Sequence, residues 1–216
     1  MIKFTKGNSY LPKGTWSFNL PSGWSCPHAK NCLAFADRET GKIVNGKEQT
    51  FRCYSATVER YPAVRKQVWD NFEALKHANH GDMVRMLLEA LPQKATHVRI
   101  HGGGDFFSQI YFDAWLDVVA RRPNVQFWAF TKSLPFWVAR LESIPVNLAL
   151  TASCGGRHDH LIEKYSLRYA LVVESEDKAE QMNLPVDMND FHAMRRGGSF
   201  ALVENSKRKK PFPPNE

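Results

Sequence analysis

The fold is decided by the stretch Thr96-His97-Val98-Arg99-Ile100-His101-Gly102-Gly103-Gly104-Asp105-Phe106-Phe107-Ser108. Thr96 to His101 alternates polar and apolar residues as a strand does. Gly102 to Asp105 is a turn. Ser108 then caps a helix running to Arg122, with Tyr111, Trp115, Val118 and Val119 at inward spacing. The same grammar repeats downstream. Val125 to Thr131 reads as a strand, Phe136 to Leu141 as a helix and Val146 to Thr151 as a strand. A turn and short helix reach about Tyr165; Tyr169 to Val173 is another strand and Glu176 to Met182 another helix. Strands alternating with helices imply parallel βαβ units. Right-handed crossovers put every strand's carboxyl end on one edge. The expected fold is α/β, a partial (β/α) barrel of parallel strands with an N-terminal cysteine-bearing loop segment.

Upstream the pattern thins. Val64, Val68, Phe72 and Leu75 sit at helical spacing, with Gly81 as the expected stop. Asp82 is placed to cap a second helix that buries Met83, Leu87, Leu88 and Leu91 and closes at Pro92. Before Pro62 the chain is broken by Gly14, Pro21, Gly23, Pro27, Gly41 and Gly46. Only Thr15 to Leu20 alternates well enough to be a strand.

The 216 residues suit one domain, expected over 1–204, with 205–216 as a basic, disordered tail. Part of the net charge of +7 lies there, at Lys207, Arg208, Lys209 and Lys210. Such a tail can meet nucleic acid, although a solvated end is the commoner reading. No apolar run reaches the roughly 18 residues that span a bilayer, and the N-terminus carries no secretory pattern. The expected location is cytoplasmic.

Three of the four cysteines, Cys26, Cys32 and Cys53, fall within 28 residues of a turn-rich region. In a reducing compartment that clustering points to metal binding before disulfides. Thiolates suit iron–sulfur clusters and zinc alike. His28 would complete a closed zinc set, although the gaps of five and twenty residues match no zinc ribbon or finger. Cys154, beyond a later strand, is open as a fourth ligand, a reactive thiol or a packing residue. Gly102, Gly103 and Gly104 offer close backbone approach, and Asp105 can accept from a ligand's ammonium group. His101, Thr131, Lys132 and Ser153 lie at the same edge. Gly155 to His160 forms a second glycine turn. Asp187, Asp190 and His192 form a further polar group, read first as a surface loop.

Several of these segments together are specific. Cys26 to Cys32, Arg52-Cys53-Tyr54-Ser55-Ala56, Arg99 to Ser108, Ala129 to Leu134 and Leu150 to Ser153 resemble the bacteriophage "gene product eighty-eight" family over roughly residues 10–203. The layout is also similar to that of radical S-adenosylmethionine enzymes. That likeness implies a 4Fe-4S cluster on Cys26, Cys32 and Cys53. It also implies S-adenosylmethionine held by Gly102, Gly103, Gly104 and Asp105, with Thr131, Lys132 and Ser153 around it and His101 as a catalytic candidate. A host reductase would be the partner, and the host cytoplasm the location. The sequence departs from that layout in its cysteine gaps and in having Asp105 where glutamate is usual. The alternative expectation is an iron–sulfur or zinc binding module with a structural or redox-sensing site that meets nucleic acid or a host protein.

Overall fold

The computed structural model describes residues 1–204; the basic tail expected beyond them lies outside the described residues. The elements in order are β1 (Phe4–Lys6), β2 (Thr15–Phe18), β3 (Ala34–Ala36), β4 (Ile43–Asn45), α1 (Tyr54–Val58), α2 (Pro62–Leu75), α3 (His80–Ala90), β5 (His97–Ile100) and α4 (Gln109–Ala120). They continue with β6 (Gln126–Thr131), α5 (Leu134–Val138), a 3-10 turn (Leu141–Ser143), β7 (Leu148–Ser153), α6 (His160–Lys164), β8 (Tyr169–Val173), α7 (Glu176–Gln181) and β9 (Phe200–Val203).

Seven strands form one sheet in the order β1-β2-β5-β6-β7-β8-β9. β1 is antiparallel to β2, and every later pair is parallel. β3 and β4 form a separate hairpin. The fold is therefore mixed α/β with a mostly parallel sheet. β1 and β9 are its two edges, and they do not pair with each other.

The register explains the layers. Trp16, Val98, Phe127 and Leu148 are aligned across four strands, as are Phe18, Ile100, Ala129 and Leu150. This face packs with Leu75, Met83, Leu87, Tyr111, Phe112 and Trp115 into the main core. The opposite face carries Ser17, Arg99, Trp128 and Ala149 in register. It is closed by a smaller cluster of Trp128, Ala149, Ala170, Ala193, Met194 and Phe200.

Boundaries move where a local rule was misread. Gly81 does not stop a helix. Asn79 caps α3, its Oδ1 accepting from the Asp82 backbone N–H at 3.0 Å, which leaves Gly81 in the first turn. Met83, Leu87 and Leu91 are buried as expected, and Leu88 is partly buried. α5 begins at Leu134 because Pro135 belongs in a helix's first turn. β7 begins at Leu148, and Val146 is exposed. The Asn147 side chain donates to the carbonyls of Val119, Arg122 and Val125 and pins the turn before the strand. Ser108 does cap α4, and β8 spans Tyr169–Val173 as read.

Candidate thiolate site at the sheet edge

Four loops meet at the carboxyl edge of the sheet. The cysteine loop leaves β2 and is strapped down by four hydrogen bonds. Leu20 N–H donates to the Gly103 carbonyl at 2.9 Å, and Ser22 N–H to Glu59 Oε1 at 2.8 Å. Asn31 N–H and the Gly155 carbonyl are 2.9 Å apart, as are Arg157 N–H and the His28 carbonyl. The loop carrying Cys26 and Cys32 is thus tied to the turns after β5 and β7. Cys53 arrives separately, as the residue that precedes α1.

The glycine run is shaped by this loop. A Cβ on Gly103 would lie 1.9 Å from Ser55 Oγ and 3.0 Å from Ser55 Cβ. A Cβ on Gly104, whose φ is +84°, would lie 2.5 Å from Ser25 Oγ and 2.6 Å from Leu20 Cβ. Gly102 faces Asn19 Oδ1 and Ser17 Oγ. The close approach these glycines permit is therefore taken up by the protein's own serines and asparagine. The Gly102 and Gly103 amides are used as well, on the Phe18 carbonyl and Asn19 Oδ1.

Asp105 is buried at the centre. Its Oδ1 accepts from Thr131 Oγ1 at 2.6 Å and from Phe106 N–H at 2.7 Å. Its Oδ2 accepts from Lys132 N–H at 2.8 Å. Burial outweighs these bonds and lifts the carboxyl pKa to about 6. Lys132 is also buried. Its ammonium donates to the Ser153 carbonyl at 2.9 Å, to Ser153 Oγ at 2.7 Å and to the Cys154 carbonyl at 2.7 Å, which uses all three protons. Asp105, Thr131, Lys132 and Ser153 come together as expected, as one saturated network joining β5, β6 and β7.

The three thiols lie beside that network, half-buried and free. Burial chiefly, then Asp105 and Cys53, push the Cys26 thiol well up. Burial also raises Cys32, with Lys132 pulling the other way and Cys53 and Asp105 adding to the rise. Cys26 and Cys32 therefore both sense the neighbouring Cys53 and a common carboxylate, Asp105. Among the described residues, no three His, Cys, Asp or Glu side chains are arranged to hold a metal ion.

Other candidates are placed elsewhere. His101 has φ +64° and turns its ring into the core, 3.0 Å from Tyr111 Oη and against Phe106 and Trp115. Burial drops its pKa to about 3, so it is neutral at physiological pH. His28 packs on His158 and Phe136, ring centroids 4.7 and 5.2 Å away, rather than completing a set with the thiols. Cys154 senses Asp159 and Lys132, and burial first raises its pKa to about 11. Asp190 pairs with Arg99 at 2.8 Å and accepts from Trp128 Nε1. Asp187 holds the Ala193 and Asn189 N–H groups, and His192 stacks on Phe200. These last three are structural anchors of the segment before β9.

Two participants escaped the sequence reading. Arg99 Nη2 donates to Tyr54 Oη, and Tyr54 in turn donates to the Gly102 carbonyl. The strand's alternation at Val98-Arg99-Ile100 carried the signal for Arg99, a cation on the face away from the helices. Nothing in the sequence marked Tyr54 beyond its place next to Cys53.

Fold and site define a class: a mostly parallel α/β protein with free thiols gathered at the carboxyl edge of its sheet. The chain belongs to the gene product 88 family, whose model matches residues 2–211. The Gene 88 protein of Mycobacterium phage L5 is 34% identical over 143 residues, covering 61% of this chain and 53% of that protein. The Gene 88 protein of Mycobacterium phage D29 is 33% identical over the same shares. The match thus spans about half the length of these curated phage relatives. No solved structure matches the chain, and the likeness to radical S-adenosylmethionine enzymes has no counterpart in these matches. No helix among the described residues is long and apolar enough to cross a membrane.

Proposed function

We propose that the chain is an iron–sulfur protein of phage type, with Cys26, Cys32 and Cys53 as the ligands. The observation that carries this reading is the contrast in satisfaction at one edge. Every polar atom of the Asp105–Thr131–Lys132 network has a partner, while no hydrogen bond joins the three sulfurs to another side chain among the described residues. Burial and mutual repulsion make thiolates costly there unless a cationic centre neutralises them. A multinuclear cluster spreads soft ligands wider than a single ion does, so donors that form no closed set for one ion suit it better than they suit zinc. The place of His28, against His158, also counts against zinc.

The sheet supports the partial-barrel form of the reading. From β2 onward each crossover steps one strand in the same direction, as in a barrel, with no reversal of order. The finer version adds S-adenosylmethionine at an open iron. Asp105 Oδ2 has spent one acceptor position on Lys132 N–H and keeps another for an ammonium group. Thr131, Lys132 and Ser153 would then position Asp105 rather than touch the ligand, and an electron donor of the host would be the partner.

Anaerobic reconstitution with iron and sulfide, followed by differential alkylation, tests the cluster. Cys26, Cys32 and Cys53 should become protected together while Cys154 stays reactive. Equal reactivity of all four thiols before and after reconstitution would remove the reading. Equilibrium dialysis of S-adenosylmethionine against the reconstituted protein tests the finer version, and no retention would sink it.

A further inference from the structure

Next to the thiols lies a surface with a different chemistry. Trp24, Tyr54 and Tyr61 are among the most exposed aromatic residues, at 51%, 47% and 63%. Exposed rings are often mobile, but two of these are fixed by their own polar atoms. Trp24 Nε1 donates to the Ala36 carbonyl at 3.3 Å, and its ring leans on Trp69 and Phe35. The Tyr54 hydroxyl is tied to the Gly102 carbonyl and to Arg99. Burial of that hydroxyl raises its pKa while the ring stays open. Tyr61 is held by its backbone, as the residue that caps α2.

Arginines neighbour these rings along the chain or lie over the ring they touch. Arg52 and Tyr54 flank Cys53, Arg60 directly precedes Tyr61, and Arg38 lies over Trp69, which packs at a tilt against Trp24. Arg65 joins two of these pieces, the segments at Arg38 and at Arg60. Its guanidinium donates to the carbonyls of Arg38 and Glu39 on one side and of Glu59 and Arg60 on the other. Arg52 and Arg60 are exposed and make no ion pair among the described residues, whereas Arg38 is shared with Glu73.

A partner protein that buried these rings would have to desolvate unpaired guanidinium groups next to them. A single nucleic-acid strand needs what is present: flat faces for bases and cations between them for phosphates. Pre-fixed rings lose little freedom on binding, which strengthens each stacking contact. We propose that the face formed by Trp24, Arg38, Arg52, Tyr54, Arg60 and Tyr61 binds single-stranded nucleic acid without sequence readout. This does not rest on the iron–sulfur reading, since none of these six side chains is a proposed ligand. The chemistry is common to DNA and RNA strands.

The test is fluorescence anisotropy of the full chain with labelled oligo-dT and oligo-U, each about 12 nucleotides long, across a salt series. The expected result is binding to either strand, favoured over duplex of the same length, with log affinity falling linearly against log salt. Tyr61→Ala, which removes a ring with no aromatic partner among the described residues, should weaken binding on the order of tenfold, and Tyr61→Phe should restore it. Arg60→Ala should also weaken it and flatten the salt slope. A melting temperature unchanged in Tyr61→Ala excludes misfolding as the cause. Two results overturn the proposal: no binding at low salt, or binding lost on neutralising Lys207, Arg208, Lys209 and Lys210 but indifferent to Tyr61→Ala and Arg60→Ala.

Discussion

Two polar regions share the carboxyl edge of the sheet, and they are built on opposite principles. Around Asp105 every polar atom has at least one partner, from Thr131 and Phe106 through Lys132 to Ser153 and Cys154. Around Cys26, Cys32 and Cys53 no other side chain hydrogen-bonds the sulfurs among the described residues, and Asp105 and Cys53 disfavour the ionised forms of Cys26 and Cys32. A saturated buried network fixes geometry, because losing any member strands the others. An unsaturated cluster of soft donors has capacity left over. The first region has the build of a scaffold, and the second is where the proposed cluster would bind, although the sequence presents both as equally plausible ligand sites.

The sharpest way to break that contrast is to open the closed region. Asp105→Ala strands the Thr131 hydroxyl and the Phe106 and Lys132 amides. Its expected cost is roughly 3–5 kcal/mol in urea denaturation at neutral pH. A cost under about 1 kcal/mol would mean the carboxylate is held for a ligand and not for the fold.

The same residue predicts a pH signature. Its folded pKa of about 6 lies above the ordinary 3.8, so the folded state holds the proton more tightly between those values. Stability from this group is therefore greatest at low pH and falls as pH rises through that window. Between pH 7 and pH 4 wild type should gain on the order of 2–3 kcal/mol relative to Asp105→Ala. A gap that narrows on acidification would contradict the assignment.

Gly104→Ala sharpens the packing side of the comparison. The new methyl would meet Ser25 and Leu20 at a left-handed φ of +84°. A loss of about 2–3 kcal/mol is expected, smaller in a Ser25→Gly background. The gentlest change is Cys53→Ala in metal-free protein. Its sulfur is unpartnered, so thermal unfolding should shift by less than about 1 kcal/mol of stability.

The sequence made one half of this contrast more legible than the other. Strand–turn–helix repeats after Thr96 place β5, β6, β7 and β8 on one edge because period-2 and period-3.6 patterns are long there. The same logic brings Asp105, Thr131, Lys132 and Ser153 together. The N-terminal third has no such period. β1, β3, β4 and α1 have three to five residues each, too few to show an alternation. Their order comes from tertiary straps, such as Arg65 to four carbonyls and Ser22 to Glu59. β9 was missed for a different reason: it is short and follows a polar segment whose anchors, Asp187 and Asp190, read as an ordinary loop. The glycine run was read as room for a ligand, because a sequence does not reveal that Ser25 and Ser55 fill that room. His101 sits beside the run, and only its left-handed backbone sends the ring back into the core.

If the open region, and not the closed one, takes the proposed metal centre, iron and acid-labile sulfide content after anaerobic purification should follow the three thiols. Measured side by side for wild type, Cys26→Ala, Cys32→Ala, Cys53→Ala and Cys154→Ala, iron and sulfide should be present in equal amounts in wild type and in Cys154→Ala, and lost in each of the other three. Zinc or no metal in wild type, or iron that survives removal of Cys53, would contradict the proposal.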